Sequence, residues 1–539
     1  MQTTIHRAGT LTALAAVALL AACETQPGAV SDQAMWSTAV APAGPSPARA
    51  LVRGLFSAPV LPPLAGNRES YPPIDSNPVR LAAEHPVSTF GVDVDTGSYS
   101  NVRRFLNAGA MPPADAVRVE ELVNYFDYDY ARPADREIPF AVTTEVARTP
   151  WNPDSFLLQI GIKGYDIDRR DRPAANLVFL VDVSGSMQAR DKLPLVVQSL
   201  KMLTDQLTAR DRIAVVTYAG HAGTALEPTP GDRKAEIRAA LDGLQAGGGT
   251  AGSAGLKRAY ELAERARIDG GVNRVLLATD GDFNVGVSDV GQLKELIAAK
   301  RSAGITLTTL GFGTGNYQEA LMEQIADVGN GNYAYIDGLA EARKVLVNEM
   351  SSTLFTIAQD VKVQIEFNPA KVAEYRLIGF ENRVLKRADF NNDKVDAGDI
   401  GAGHTVTALY EIVPAGGRGS IDPLRYGRTG AATTSPDAAE FAFLKLRYKL
   451  PGQDRSRLIE KPLAARLLDG PAAAKPSADL RFAAAVAAFG QILRGGKHTG
   501  DFDYADVLEL ARGARGDDPL GYRAGFLTLV DLARGLQGS

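Results

Sequence analysis

The sequence predicts an α/β protein built on a doubly wound, mostly parallel sheet. A small α+β unit is expected before that sheet, and a β-rich and helical domain after it. Two observations carry the prediction. Between residues 173 and 350, apolar runs of strand length alternate with amphipathic helical stretches, the pattern of a parallel sheet covered on both faces. After about residue 355 the hydrophobic period changes to two, the period of half-buried strands.

The chain opens on an export signal, expected over residues 1–22. Met1, His6 and Arg7 precede the apolar run LTALAAVALLAA at 11–22. About 12 residues rising 1.5 Å each are too few to cross a bilayer core of about 30 Å, and they fit a signal-peptide core. The run ends in Leu20-Ala21-Ala22-Cys23, which resembles the lipobox of bacterial lipoproteins. That resemblance implies an acylated Cys23 as the mature N-terminus and a membrane anchor there. Glu24 stands where, in that family, Asp is the usual inner-membrane retention signal, so an outer-membrane protein facing the periplasm or exterior is expected. Cys23 is also the single cysteine, which excludes an intramolecular disulfide. Residues 23–83 are rich in Ala, Pro, Ser and Gly without a sustained period. Such a composition reads as a lipid-anchored flexible linker, with an r.m.s. span of roughly 40 Å for about 55 residues.

Residues 84–165 form the expected α+β unit. It contains strand-like FGVDVDTGSYS, a helix over 99–108, a second helix in VRVEELVNYF after Pro113, and strands FAVTTEVA and FLLQIGIKGY. Residues 173–350 follow, with buried strands at 176–184, 211–219, 273–281 and 305–313. Helices are expected near 193–207, 233–244, 252–266 and 290–301. In the last of these, Leu293, Leu296 and Ile297 share one helical face. The segment GTALEPT at 223–229 reads as an antiparallel edge strand. Residues 355–539 hold the half-buried strands VKVQIEF, YRLIGF and HTVTALYEIV. A Pro/Ser/Ala-rich break follows near 429–437, then FAFLKLRYKL and a helical tail with the apolar stripe Phe482, Val486, Phe489 and Ile492.

The chemistry concentrates at the end of the first buried strand. Asp182-x-Ser184-x-Ser186 sits at its C-terminal end, outside which ligands bind in open parallel sheets. One carboxylate and two hydroxyls on a tight loop offer hard oxygen ligands to a small cation. The loop Gly247-Gly248-Gly249-Thr250 opens a helix and presents another hydroxyl. Asp280, in Thr279-Asp280-Gly281, brings a second carboxylate to the same rim. Two carboxylates balance a divalent charge, and Mg²⁺ keeps open positions that a partner's Asp or Glu could fill.

DVSGSM, the GGGT loop and the ATDG strand end resemble, in order and spacing, the metal-ion-dependent adhesion site of von Willebrand factor A (VWA) domains. The resemblance implies Mg²⁺ or Mn²⁺ held directly by Ser184, Ser186 and Thr250, and mostly through water by Asp182 and Asp280. Residues 84–165 and those after 355 resemble the domains that bracket the VWA domain in a family of uncharacterised bacterial VWA lipoproteins.

Other signals are weaker. Gly247-x-Gly249-x-x-Gly252 satisfies a dinucleotide fingerprint but follows a helix instead of a strand. Asp389-x-Asn391-x-Asp393 imitates a calcium loop, but Lys394 and Ile400 stand where Gly and the bidentate Glu are needed. Asp93-Val94-Asp95-Thr96-Gly97-Ser98 echoes the adhesion motif with broken spacing. A second metal site is one reading of it, and a strand-to-helix turn capped by Asp or Ser is preferred. No G-x-S-x-G elbow accompanies Ser186, and His85, His221, His404 and His498 are scattered, so an enzyme is not expected. With 58 basic and 63 acidic residues the formal charge is only −5, which gives no electrostatic case for nucleic acid. The expectation is a lipid-anchored, metal-dependent protein-binding module. Its rival is an assembly role in the envelope, with metal serving only to stabilise the fold.

Overall fold

The computed structural model describes residues 69, 71–168, 170–249, 252–281, 290–315, 318–422, 439–469 and 475–538. The export signal, Cys23, most of the linker and Thr250 lie outside the described residues. The N-terminal segment contributes β1 (Arg80–Leu81), β2 (Val87–Gly91), α1 (Gly97–Asn107), α2 (Val119–Asn124), β3 (Phe140–Thr149) and β4 (Asn152–Gly164).

The central segment supplies β5 (Ala175–Asp182), α3 (Leu193–Asp205), β6 (Arg212–Tyr218), β7 (Ala222–Pro230), α4 (Lys234–Asp242), α5 (Gly252–Arg265) and β8 (Val272–Thr279). It continues with α6 (Val290–Ser302), β9 (Thr306–Phe312), α7 (Glu319–Val328), β10 (Tyr333–Ile336), α8 (Leu339–Arg343) and α9 (Met350–Leu354). Its sheet runs in the order β10-β9-β8-β5-β6-β7. All pairs are parallel except β6–β7, so GTALEPT lies in an antiparallel edge strand as its sequence suggests. Every residue of β5 is buried, and its side chains alternate between two cores. Leu177, Phe179 and Val181 face one apolar cluster, and Val178 and Leu180 face the other. That two-sided burial is why the strand reads as a continuous apolar run. Helix α7 and strand β10 are not among the expected elements, although α7 carries Leu321, Met322, Ile325 and Val328 at helical spacing.

The C-terminal segment adds β11 (Thr356–Phe367), β12 (Val372–Ile378), β13 (Ile400–Gly401), β14 (Thr405–Pro414), β15 (Glu440–Lys449), β16 (Arg457–Ala464), α10 (Arg466–Asp469), α11 (Ala478–Leu493), α12 (Tyr504–Arg512) and α13 (Tyr522–Gln537). The sequence separates 84–165 from 355–539, whereas strands of both segments are paired here. One antiparallel sheet has the order β1-β12-β14-β4-β3, and in the other β2 pairs with β11 beside β15 and β16. Phe367 of β11 stacks on Tyr375 of β12 with ring centroids 4.3 Å apart, and Phe140 of β3 meets Tyr448 of β15 at 4.9 Å. The two sheets therefore share one core. The helical tail closes on α1 and α2 through Phe126, Phe482, Phe489 and Phe526. Pairing across more than 200 residues leaves no trace in a local hydrophobic period.

Candidate metal centre

Buried β5 delivers Asp182 to the carboxyl edge of the sheet, where the carboxylate is 0% exposed. Its Oδ1 accepts the Ser184 backbone N–H at 2.8 Å, and its Oδ2 accepts the Thr279 hydroxyl at 3.0 Å. The first bond folds the chain back on itself, so that Ser184 and Ser186 face the same side with their Oγ atoms 3.0 Å apart. The glycine loop is stitched to this turn. Gly185 N–H donates to the Gly248 carbonyl at 3.0 Å, and Gly247 N–H donates to the Val183 carbonyl at 2.7 Å. Gly248 has φ +86°, a conformation that suits glycine. These bonds bring Gly247 and Gly248 to the site, and Thr250 lies outside the described residues. Asp280 follows β8 directly, with 1% of its surface exposed. Asp182, Ser184 and Asp280 form a buried floor, Ser186 is half-buried, and Gly247, Gly248 and Gly249 are exposed. The site opens outward.

Burial pushes the Asp182 carboxyl up to about 6, against the hydrogen bonds from Ser184 and Thr279, and the nearby Asp280 charge adds to the rise. One residue of the site escapes the sequence reading. Lys192 donates from Nζ to Asp280 Oδ2 at 2.9 Å, with side-chain exposures of 8% and 1%. It lies six positions after Ser186, just before α3, and no period or motif marks it. Asp280 therefore already has a cation paired with it. The described donors are hard oxygens, and a spacing of 3.0 Å between the serine oxygens is close to that of adjacent ligands on an octahedral ion bound at about 2.1 Å. The donor set fits Mg²⁺ or Mn²⁺.

The Asp93 segment resolves differently. The segment is a strand-to-helix turn between β2 and α1 as expected, but the Asp or Ser cap is corrected. Asp95 Oδ1 accepts the Tyr333 N–H at 2.9 Å, the N-cap Thr96 makes no side-chain capping bond, and the Ser98 N–H in the first turn of α1 donates to Glu121 at 2.8 Å instead. Carboxylate oxygens of Asp93, Asp95 and Glu323 lie within 4.8 Å of one another. Arg383 already supplies a cation to them, 3.0 Å from Asp93, 3.7 Å from Asp95 and 3.5 Å from Glu323. Asp393 of the calcium-loop imitation is held by Arg447 at 3.0 Å.

Comparison with known proteins adds three family matches. Residues 65–159 match the family described as von Willebrand factor, residues 176–348 the von Willebrand factor type A domain, and residues 352–536 the C-terminal region of uncharacterized protein YfbK. The chain is 51% identical over 472 residues to uncharacterized protein YfbK of Escherichia coli, covering 86% of this chain and 81% of that one. It is 31% identical over 196 residues to uncharacterized protein sll0103 of Synechocystis, covering 36% of this chain and 45% of that one. Among solved structures, a von Willebrand factor type A protein from Catenulispora acidiphila has a TM-score of 0.40 at 15% identity, over 74% of this chain and 91% of that one.

Proposed function

The chain belongs to the family of YfbK, with a VWA domain at its centre, and from that premise we propose that it binds protein partners through a divalent cation. VWA domains serve protein–protein interaction. Asp182, Ser184, Ser186, Thr250 and Asp280 would hold Mg²⁺ or Mn²⁺, and the ion would offer an open coordination position to an Asp or Glu of the partner. The observation that carries this reading is the outward-opening floor of Asp182, Ser184 and Asp280 beside Ser186. All of its donors suit hard cations, and we read the protein as a binder and not an enzyme. Calorimetry with Mg²⁺ or Mn²⁺ should show binding to the wild type that is lost in Asp182→Ala. A pull-down in Mg²⁺ should capture a partner that chelator releases and that Ser186→Ala fails to retain. Absence of Mg²⁺ and Mn²⁺ binding at millimolar concentrations overturns the reading.

One observation favours the assembly reading as a second choice. The buried Lys192–Asp280 pair already compensates part of the site's charge, as a purely structural centre would. Under that reading Asp182→Ala folds and still binds its partner.

We also propose that Cys23 is lipidated and anchors the protein to the outer membrane. The basic start, the short apolar run and Leu20-Ala21-Ala22-Cys23 support this, and no helix among the described residues is long and apolar enough to cross a membrane. Cys23→Ala should lose acyl labelling and membrane partitioning. Equal partitioning of mutant and wild type, with no label on either, overturns the anchor.

A further inference from the structure

We propose that Lys192 is a tethered cation of the metal centre, whose ammonium holds Asp280 until a divalent ion displaces it. The inference rests on the metal-binding reading above. Two independent features of the structure carry it.

The first is the ion pair itself. Nζ lies 2.9 Å from Asp280 Oδ2, with both side chains almost fully buried. Among the described residues, two carboxylates and one ammonium leave the floor with one formal negative charge. A divalent ion added beside a stationary ammonium would turn this into one buried positive charge. If the ammonium leaves as the ion arrives, the carboxylates and the metal cancel. Uncompensated buried charge is costly, so metal entry and ammonium release are coupled.

The second feature is a seat built for this side chain. A Cβ on Gly313 would lie 2.3 Å from Lys192 Cγ and 2.5 Å from Cε. The lysine stem crosses the end of β9 because residue 313 has no side chain. Gly313 also has φ +73°, so its backbone suits glycine as well. The loop just before Lys192 is open to water, since Gln188, Ala189 and Arg190 are exposed. A four-carbon stem can swing a charged head from a buried partner to solvent. Lys192 stands on the segment that also carries Ser184 and Ser186, so ligands and competitor share one piece of chain.

Two measurements test this. The wild-type protein is labelled with acetic anhydride with and without saturating Mg²⁺, and acetylation of Lys192 is read by mass spectrometry against exposed Lys257. Mg²⁺ should raise Lys192 labelling about fivefold or more. In calorimetry, Lys192→Met should bind Mg²⁺ at least about tenfold tighter than wild type, because a charge competing at short range in a poorly screened site is removed. If the wild type binds Mg²⁺ while Lys192 labelling is unchanged, or Lys192→Met binds no tighter, the tethered-cation role is overturned and the metal centre stands. If the wild type binds no Mg²⁺, the metal-binding reading falls and this proposal with it. The labelling arm needs no mutant, so misfolding of Lys192→Met would not blunt the test.

Discussion

Glu319, at the start of α7, is 1% exposed, and neither of its carboxylate oxygens has a hydrogen-bond partner among the described residues. Burial is the main force that raises its carboxyl to about 8, with Arg118 opposing the rise and Glu323 adding to it. The folded protein therefore keeps a proton that the unfolded chain releases near pH 4.5. Below that pH both states are protonated and Glu319 has no effect on stability. As pH rises toward 8 the folded state loses stability relative to the unfolded chain, and above 8 the loss is complete. Glu319→Gln should remove it, leaving the mutant more stable by on the order of 5 kcal/mol at pH 9. Melting curves of mutant and wild type should coincide near pH 4.5 and separate with rising pH; a gap independent of pH contradicts the argument. At this same scale, Asp182, Ser184, Ser186 and Asp280 were legible in the sequence because each sits at the end of a strand or on the loop that follows it. Lys192 was not, because its relation to Asp280 is made by the fold across 88 residues.

Among the elements, helix α12 shows how local chemistry fixes a boundary. Asp503 accepts the Ala505 and Asp506 backbone N–H groups at 2.7 and 3.1 Å, and Asp506 returns a bond to the Asp503 N–H at 3.0 Å. This reciprocal cap satisfies donors that the first turn leaves open. Asp503→Ala should cost about 1 kcal/mol, read as a lower urea midpoint with an unchanged slope. Helix α7 is instead fixed by tertiary ion pairs. Arg383 holds Asp327 at 2.9 Å and Asp93 at 3.0 Å, and Arg118 holds Glu323 at 3.0 Å. Arg383→Met would leave buried carboxylates without their cation, a loss of about 3–5 kcal/mol that chemical denaturation would detect. A loss near zero would mean that these carboxylates find other partners. No such partnership is visible in the sequence, where Asp93, Asp327 and Arg383 belong to three separate segments.

For the whole molecule, the paired sheets make the flanks interdependent. Strands β3 and β4 pair with each other, and β4 then pairs with β14 from Thr405–Lys163 to Ile412–Phe156. A fragment of residues 352–538 would lack β2, β3 and β4 and expose the apolar faces they cover. It should be expressed alone as an aggregated or molten species, and co-expression with residues 69–168 should recover a soluble complex on size exclusion. A cooperative melt of 352–538 alone would refute this interdependence. The central segment differs in part: one face of its sheet packs on an apolar cluster drawn wholly from its own stretch, while the other face joins the cluster shared with the flanking sheets. Residues 173–350 should still melt cooperatively on their own.

The sequence by itself determined the α/β class, the parallel order implied by alternating strands and helices, and the oxygen-rich loop at the end of β5. Each of these is written in local spacing: buried strands as apolar runs, helices as a period near 3.6, and ligands as short motifs at strand ends. Only the tertiary structure decided that the two flanks build common sheets, that Arg383 supplies the cation beside Asp93 and Asp95, and that Lys192 pairs with Asp280. Those facts depend on contacts between residues far apart in the chain. Strand pairing and buried charge compensation are settled by which surfaces meet after folding, and neither imposes a period on the residues that take part.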